Sequence, residues 1–337
     1  MIRAGLSRDL LAPSGTPPFD PALLDLLPAG SYEWIPETLT TLTPEVAARY
    51  EAVLINTPRV TRESLATPHL RLRLIARFGV GYDQVDVPAL TEAGVILTNT
   101  PIAIRKPVAT MAMTFILALA QKLLIKDRLT RAGRWQERLA HMGQGVTGKR
   151  LGLVGAGGVG RELIPLARAF SMEVRAADPY ADAAALAALG ARLVPLDELL
   201  GWADFVVIAC PLIAETRHLI DAEKLARMRP SAYLINVARG PIVDEEALIA
   251  ALRERKIAGA GLDVFETEPV DPANPLLAME NTIVTPHALC WTDENFDGIA
   301  RDALSDIAAA LGGRRPRFIV NPEGLDHPRV KSWLEAT

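Results

Sequence analysis

The chain has 337 residues, enough for about two domains, each with its own core. Half of the residues are apolar, 23% are charged and the net charge is −4, an ordinary soluble composition that excludes a basic nucleic-acid-binding surface and a disordered chain. The two cysteines, Cys210 and Cys290, form neither a disulfide framework nor a metal-ligand pattern. No metal is therefore expected, and a reducing compartment, the cytoplasm, is. The N-terminal residues carry no signal-peptide apolar core. The longest apolar run, Val108 to Ala120, is too short to span a bilayer. A membrane partner is not expected.

Residues 1 to about 100 alternate short apolar runs with helical patterns, an α/β signature. Ala52 to Ile55, Leu72 to Ala76 and Gly94 to Leu97 read as strands, the last ending at Asn99-Thr-Pro101. The turn Arg77-Phe-Gly-Val-Gly-Tyr-Asp83 directly follows a strand. Its glycines, 79 and 81, leave backbone N–H groups free to hold an anion such as a substrate carboxylate; a plain tight turn is the competing reading. Pro107 to Leu124 is apolar on all faces and predicts a buried helix. A glycine-rich loop, Gly143 to Gly148, then leads into the stretch that organises the chain.

That stretch is Leu151-Gly-Leu-Val-Gly-Ala-Gly-Gly-Val-Gly-Arg161. A buried strand, Leu151 to Val154, breaks into G-x-G-x-x-G, and a helical pattern runs from Val159 to Phe170. Gly155 permits the tight turn, Gly157 lets the backbone approach a pyrophosphate at the helix N-terminus, and Gly160 lets helix and strand pack closely. Pro165 falls inside the predicted helix and predicts a kink there. The next strand, Glu173 to Ala177, ends at Asp178, where an acid can accept hydrogen bonds from the adenosine ribose and repel a 2′-phosphate. NAD is therefore expected in preference to NADP. The blander alternative is a glycine loop of a flavodoxin-like domain beside an ordinary strand-end aspartate.

The Ala-rich stretch from Ala181 to Ala191 reads as a helix. Four more apolar strands follow, Asp204 to Ala209, Ala232 to Asn236, Gly259 to Val264 and Thr282 to Thr285. Past their ends stand Cys210-Pro211, Val237-Ala-Arg-Gly240, Phe265-Glu-Thr-Glu-Pro269 and Pro286-His287-Ala288. Ligands of open parallel sheets bind beyond the carboxyl ends of strands, so these groups can share one cleft. Arg239 offers a planar fork for a carboxylate and a carbonyl. His287 can supply and recover a proton near neutral pH. Glu268 can orient the imidazole and favour its protonated form. Each also has a dull reading: a salt-bridge arginine, a solvated acid, a structural histidine. Histidines 69, 141, 218 and 327 lack comparable context. Cys210 stands where it can touch a nicotinamide. Asp293 to Leu311 reads as a helix, and Phe318 to Pro322 as a closing strand on the first domain.

Taken together, these motifs resemble the D-isomer-specific 2-hydroxyacid dehydrogenase family over nearly the whole chain. The carrying residues are Arg77 to Asp86, Asn99-Thr-Pro101, the glycine fingerprint with Asp178, Asn236 to Gly240, Gly261 to Pro269 and Thr285-Pro-His287. The resemblance implies two doubly wound parallel-sheet domains: a Rossmann NAD-binding domain, residues 103–289, inserted in a flavodoxin-like substrate domain, 1–102 plus 290–337. It implies an NAD-dependent exchange of a D-2-hydroxy acid and its 2-oxo acid, with Arg239, Glu268 and His287 as the catalytic trio. Implied cofactor contacts are Gly155, Gly157, Gly158, Val159, Gly160, Asp178, Cys210, Pro211, Val237, Ala238, Arg239, Asp263, His287 and Ala288. Implied substrate contacts are Arg77, Val80, Gly81, Asn99, Arg239 and His287, with Val80 and Gly81 donating backbone N–H groups to the carboxylate. A homodimer clasped through the nucleotide domain is implied as well.

Arg77-Phe-Gly-Val-Gly is most similar to the 3-phosphoglycerate dehydrogenase and hydroxypyruvate reductase branch, and an arginine at 77 suits a substrate phosphate. Ala209, Ile213, Thr110 and Leu289-Cys-Trp291 depart from the family's usual residues and bear on substrate identity. Two alternatives share the fold. One is an NADH-sensing corepressor-like binding protein without turnover, which the absence of a recruiting extension disfavours. The other is formate oxidation, disfavoured because Glu268 is an acid rather than a neutral amide.

Overall fold

The computed structural model describes residues 2–335. The chain divides into two compact units, Met1–Ile104 with Trp291–Thr337, and Arg105–Cys290.

The first unit is a five-stranded, all-parallel sheet. Its strands are β1 (Ala4–Leu6), β2 (Tyr32–Trp34), β3 (Ala52–Ile55), β4 (Leu74–Arg77) and β5 (Ile96–Thr98). The order β2-β1-β3-β4-β5 is that of flavodoxin-like sheets. Alternation along the strands feeds two cores. Leu6, Leu54, Leu74 and Ile96 pack with Ile299, Leu304 and Ile307 of the helix Asp293–Leu311. Val53, Ile55, Ile75 and Leu97 pack on the other face with Val46 and Leu90. Both faces are covered, as a parallel sheet requires.

The second unit is a seven-stranded parallel sheet: β6 (Arg150–Val154), β7 (Glu173–Ala177), β8 (Ala191–Leu193), β9 (Phe205–Ile208), β10 (Tyr233–Asn236), β11 (Gly259–Leu262) and β12 (Thr282–Val284). The order β12-β11-β10-β9-β6-β7-β8 reverses direction between β6 and β9, the topological switch point of a Rossmann sheet. One face packs Val154, Val206, Leu234 and Leu262 against Leu199, Leu225, Leu248 and Leu252. The other is covered by the helix Arg105–Ala120, which packs on β10, β11 and the fingerprint helix Gly158–Ala169. The fit is close: a Cβ on Gly261 of β11 would stand 2.7 Å from the Phe115 ring.

Several elements differ from the sequence reading. The predicted closing strand at 318–322 does not form. Ile319 makes one isolated antiparallel bridge to Thr98, with Val320 N–H on the Leu97 carbonyl, because Pro316 and Pro322 flank the stretch and remove donors. The helix expected over 107–124 runs Arg105–Ala120, turns at Lys122 with φ +52°, and restarts as Leu123–Arg131. Pro165 lies on the exposed face of a helix that continues through it, and the residue one turn before it, Arg161, is exposed as well. Strands β1, β2 and β8 are three residues each, too short to show a period. Among the described residues, no single helix is long and apolar enough to cross a membrane.

Candidate active site

The fingerprint folds as its glycines dictate. Gly155 has φ +93°, and a Cβ on it would stand 2.5 Å from the Cys210 amide nitrogen, so the turn after β6 lies against the exit of β9. A Cβ on Gly160 would stand 2.7 Å from the Gly155 carbonyl oxygen and 2.8 Å from a Leu153 methyl, which seats helix on strand. Nothing lies within 4 Å of the corresponding position on Gly157, the N-cap of the helix, so its backbone is open to a ligand. The first intrahelical bond is Arg161 N–H to the Gly157 carbonyl at 3.0 Å. The amides of Gly158, Val159 and Gly160 precede it and remain outside the helix ladder, facing the end that favours anions.

Asp178 closes β7 beside this turn. One carboxylate oxygen accepts the Ala156 N–H at 2.8 Å and the other the Tyr180 N–H at 2.9 Å. Next to it is a recess of about 560 Å³ lined by Val154, Ala177, Pro179, Leu193, Val194 and Leu196, among others. An apolar slot ending at a carboxylate can take an adenine and its ribose hydroxyls, and the negative charge opposes a 2′-phosphate. The open Gly157 backbone and the unused amides fit the diphosphate of NAD.

At the opposite half of the sheet, the exits of β10, β11 and β12 converge. The buried Asn236 at the end of β10 closes the next turn: its Nδ2 donates to the Arg239 carbonyl at 2.9 Å, and its Oδ1 accepts the Ala238 N–H at 3.1 Å. The turn presses on the loop after β11, because Gly240 has no side chain; a Cβ there would overlap the Phe265 carbonyl group. That loop delivers Glu268. Its Oε1 accepts the Phe265 N–H at 3.0 Å and its Oε2 lies 2.7 Å from Nδ1 of His287. His287 follows β12 in a hairpin-tight turn with φ +55°, its N–H on the Thr285 carbonyl at 3.0 Å. The buried Asp263 holds this turn. One of its oxygens accepts from the Thr285 hydroxyl at 2.5 Å and from the Ala288 and Leu289 amides at 3.1 Å each.

Electrostatics match the geometry. Burial raises the Glu268 pKa, but the His287 bond, the Phe265 N–H and the charges of His287 and Arg239 outweigh it, leaving the carboxyl below its ordinary value. Glu268 is thus ionised at neutral pH, and Arg239 stands close enough to contribute. Burial pushes the Cys210 thiol up to about 11, so it is neutral beside the fingerprint. With Nδ1 engaged by Glu268, the other ring nitrogen of His287, half-exposed, is the one that can exchange a proton.

In the first unit, the loop after β4 carries the remaining predicted residues. Gly79 has φ +119°, and among the described residues neither the Val80 nor the Gly81 N–H has a protein acceptor. Asn99 Nδ2 donates to the Val80 carbonyl at 2.9 Å, and the Thr100 N–H to the Gly79 carbonyl at 3.0 Å, so Asn99 shapes the loop. The Arg77 guanidinium folds back onto the Phe78 carbonyl.

Three features escaped sequence reasoning. Gly240 and Asn236 stand within motifs, yet only coordinates show the one clearing space for the Glu268 loop and the other closing the Arg239 turn. The third is a second His–acid pair, His218 Nε2 to Glu266 Oε1 at 2.5 Å, which ties the segment after β9 to the loop carrying Glu268. Its 48-residue separation left no sequence signal.

A Rossmann sheet with this fingerprint, an acid after its second strand and a His–Glu pair at the strand exits defines an NAD-dependent oxidoreductase. The model for the D-isomer specific 2-hydroxyacid dehydrogenase NAD binding domain matches residues 113–288. A glyoxylate reductase of Thermococcus onnurineus is 40% identical over 266 residues, 76% of this chain and 78% of that protein. A D-3-phosphoglycerate dehydrogenase of Synechocystis is 36% identical over 281 residues, 83% of this chain but 50% of that protein. The crystal structure of a glyoxylate reductase from Paecilomyes thermophila superposes with a TM-score of 0.81 at 29% identity, over 96% of this chain and 99% of that one. The chain belongs to the D-isomer-specific 2-hydroxyacid dehydrogenase family. It is an NAD-dependent enzyme that interconverts a 2-hydroxy acid and its 2-oxo acid.

Proposed function

We propose that this enzyme acts on a small 2-oxo acid of the glyoxylate and hydroxypyruvate type, with His287 as the acid/base, Glu268 as its orienting partner and Arg239 as the cation for the substrate. The observation that carries this reading is the 2.7 Å contact between Glu268 and Nδ1 of His287, in a site where Arg239 also acts on Glu268. When bound, the nicotinamide supplies or accepts the hydride. The chain's own residues do the rest. Ionised Glu268 accepts a hydrogen bond from Nδ1–H, so the ring presents its second nitrogen as a proton donor in reduction and as a base in oxidation. Arg239 neutralises the carboxylate and polarises the carbonyl through a two-pronged donor set. The Val80 and Gly81 amides are assigned to the substrate's anionic group, and Asn99 supports their loop. Gly155, Gly157, Gly158, Val159 and Gly160 are assigned to the diphosphate and Asp178 to the adenosine ribose. Cys210, Pro211, Val237, Ala238, Asp263 and Ala288 are assigned to the nicotinamide side.

The preference for an unphosphorylated acid is supported by the names of the relatives matched over three quarters of their length, and by Arg77, whose side chain is folded onto its own loop. The domain assignment is residues 1–102 plus 290–337 for the substrate domain and 103–289 for the NAD domain. A cytoplasmic homodimer joined through the second unit completes the proposal. It is supported by two free cysteines and by exposed Leu123, Trp135, Leu139 and Met142 on one stretch of that unit.

The test is NADH consumption with glyoxylate, hydroxypyruvate and phosphohydroxypyruvate, alongside His287→Ala. That variant is expected to lose roughly 10²–10⁴-fold in kcat, the range of lost acid–base catalysis. Wild-type turnover unaffected by the change refutes the role of His287. Turnover confined to phosphohydroxypyruvate refutes the substrate class. Light scattering decides the dimer.

A further inference from the structure

Beyond the backbone amides of the fingerprint, we propose that Arg105 is the cofactor's diphosphate-binding side chain, a residue that no glycine motif includes. Arg105 opens the helix Arg105–Ala120, which packs along the fingerprint helix. Its stem crosses the first residue of that second helix. A Cβ on Gly158 would stand 2.4 Å from Nε of Arg105, 2.7 Å from Cδ and 3.1 Å from Cγ, so the side chain lies directly against the bare backbone of Gly158. The guanidinium therefore starts, at Nε, over the first residue of Gly158–Ala169, one position along the chain from the open backbone of Gly157.

A diphosphate carries two negative charges, and amides with a helix terminus offer only partial positive charge against them. A planar guanidinium at that end supplies a full charge in a geometry suited to phosphate oxygens. The charged groups around the turn agree. Asp178 is turned to the Ala156 and Tyr180 amides, and the Arg161 Nε donates to the Ala156 carbonyl at 3.3 Å. Arg105 is partly exposed, so a ligand can reach it. The inference rests on the placement of NAD at this turn and not on the identity of the 2-oxo acid.

Calorimetric titration of the full-length protein decides the matter, with NADH, ADP-ribose and adenosine as probes and Arg105→Met and Arg105→Gln as variants. Both substitutions keep an unbranched stem over Gly158 and remove the charge, and either one alone suffices should the other fail to fold. The expected result is a loss of roughly 10- to 100-fold in affinity for NADH and ADP-ribose, as for a lost charge-assisted hydrogen bond, with adenosine affinity unchanged. The wild-type salt dependence should be steeper than that of the variants. Unaltered NADH and ADP-ribose affinity overturns the inference. An equal loss of adenosine affinity also overturns it, since that marks a packing role. Wild-type turnover on the substrate panel is read separately, so failure of the proposed function and failure of this inference are distinct results.

Discussion

Replacing Glu268 by glutamine keeps the side chain's shape and removes what the site requires of it. The carboxylate makes two acceptor contacts at once, 3.0 Å to the Phe265 N–H and 2.7 Å to Nδ1 of His287. An amide has one acceptor oxygen. If that oxygen keeps the Phe265 N–H, the NH₂ group faces Nδ1, which must then be unprotonated; the imidazolium is excluded. If the amide flips, its NH₂ opposes the Phe265 N–H instead. In the first arrangement the protonated ring loses its acceptor, in the second it keeps only a neutral one, and in both the carboxylate's charge-assisted bond, worth about 1.5–3 kcal/mol in general, is gone. Because the side chains of Glu268 and His287 are 36% and 44% exposed, solvent screening reduces this to about 1–2 kcal/mol here.

Reductive kcat/KM near neutral pH should therefore fall roughly 5- to 30-fold, following 1.4 kcal/mol per decade. At the acid end, the wild-type carboxyl lies below its ordinary value, so its help persists down through the usual carboxylate range and disappears only as pH drops through its own lowered pKa. The assay is initial rate against pH with NADH and glyoxylate. A Glu268→Gln profile that overlays the wild type in both height and position refutes the reasoning.

Three further outcomes are expected. Gly240→Ala drives a methyl into the Phe265 carbonyl and displaces the Glu268 loop by about an ångström, so kcat should drop on the order of 10²-fold while NADH titration stays normal; wild-type kcat would show that this approach is not needed. Asp178→Ala removes a negative charge next to the adenosine recess, and the NADH-over-NADPH ratio of kcat/KM should narrow by roughly 10-fold or more, about 1.4 kcal/mol of relieved repulsion; an unchanged ratio removes the residue from cofactor choice. Asp204 is buried. Burial raises its pKa, but the Arg150 side-chain and backbone bonds and the charges of Arg150 and Lys149 bring it below the ordinary value. Asp204→Asn should cost roughly 1–3 kcal/mol of unfolding free energy at neutral pH, complete above the unfolded pKa and vanishing as pH falls through the folded one; chemical denaturation at pH 7 and at pH 3 checks both halves.

Glycine spacing, apolar strand runs and single polar residues past strand ends were legible in the chain because each is a local constraint. Gly155 must adopt positive φ, and a buried parallel strand must be apolar on both faces, whatever the rest of the molecule does. Hence β3, β7, β9 and β10 and the helix Asp293–Leu311 agree with the sequence to within a residue or two. Three-residue strands such as β8, and the 318–322 segment that makes one bridge instead of a strand, were decided by neighbours in the fold.

The amino-acid sequence alone determined that a dinucleotide fingerprint is followed by an acid, and that Arg239, Glu268 and His287 each stand just beyond a strand. It did so through backbone sterics and the period of the apolar residues, which act within a few positions. Only the tertiary structure decided that Asn236 closes the Arg239 turn, that Gly240 admits the Glu268 loop, that Asp263 holds His287 at positive φ, and that Arg105 lies across Gly158. The Asn236 turn is local, but the other three are contacts between segments tens of residues apart, set by which segments lie side by side in the fold, and sequence spacing carries no record of that adjacency.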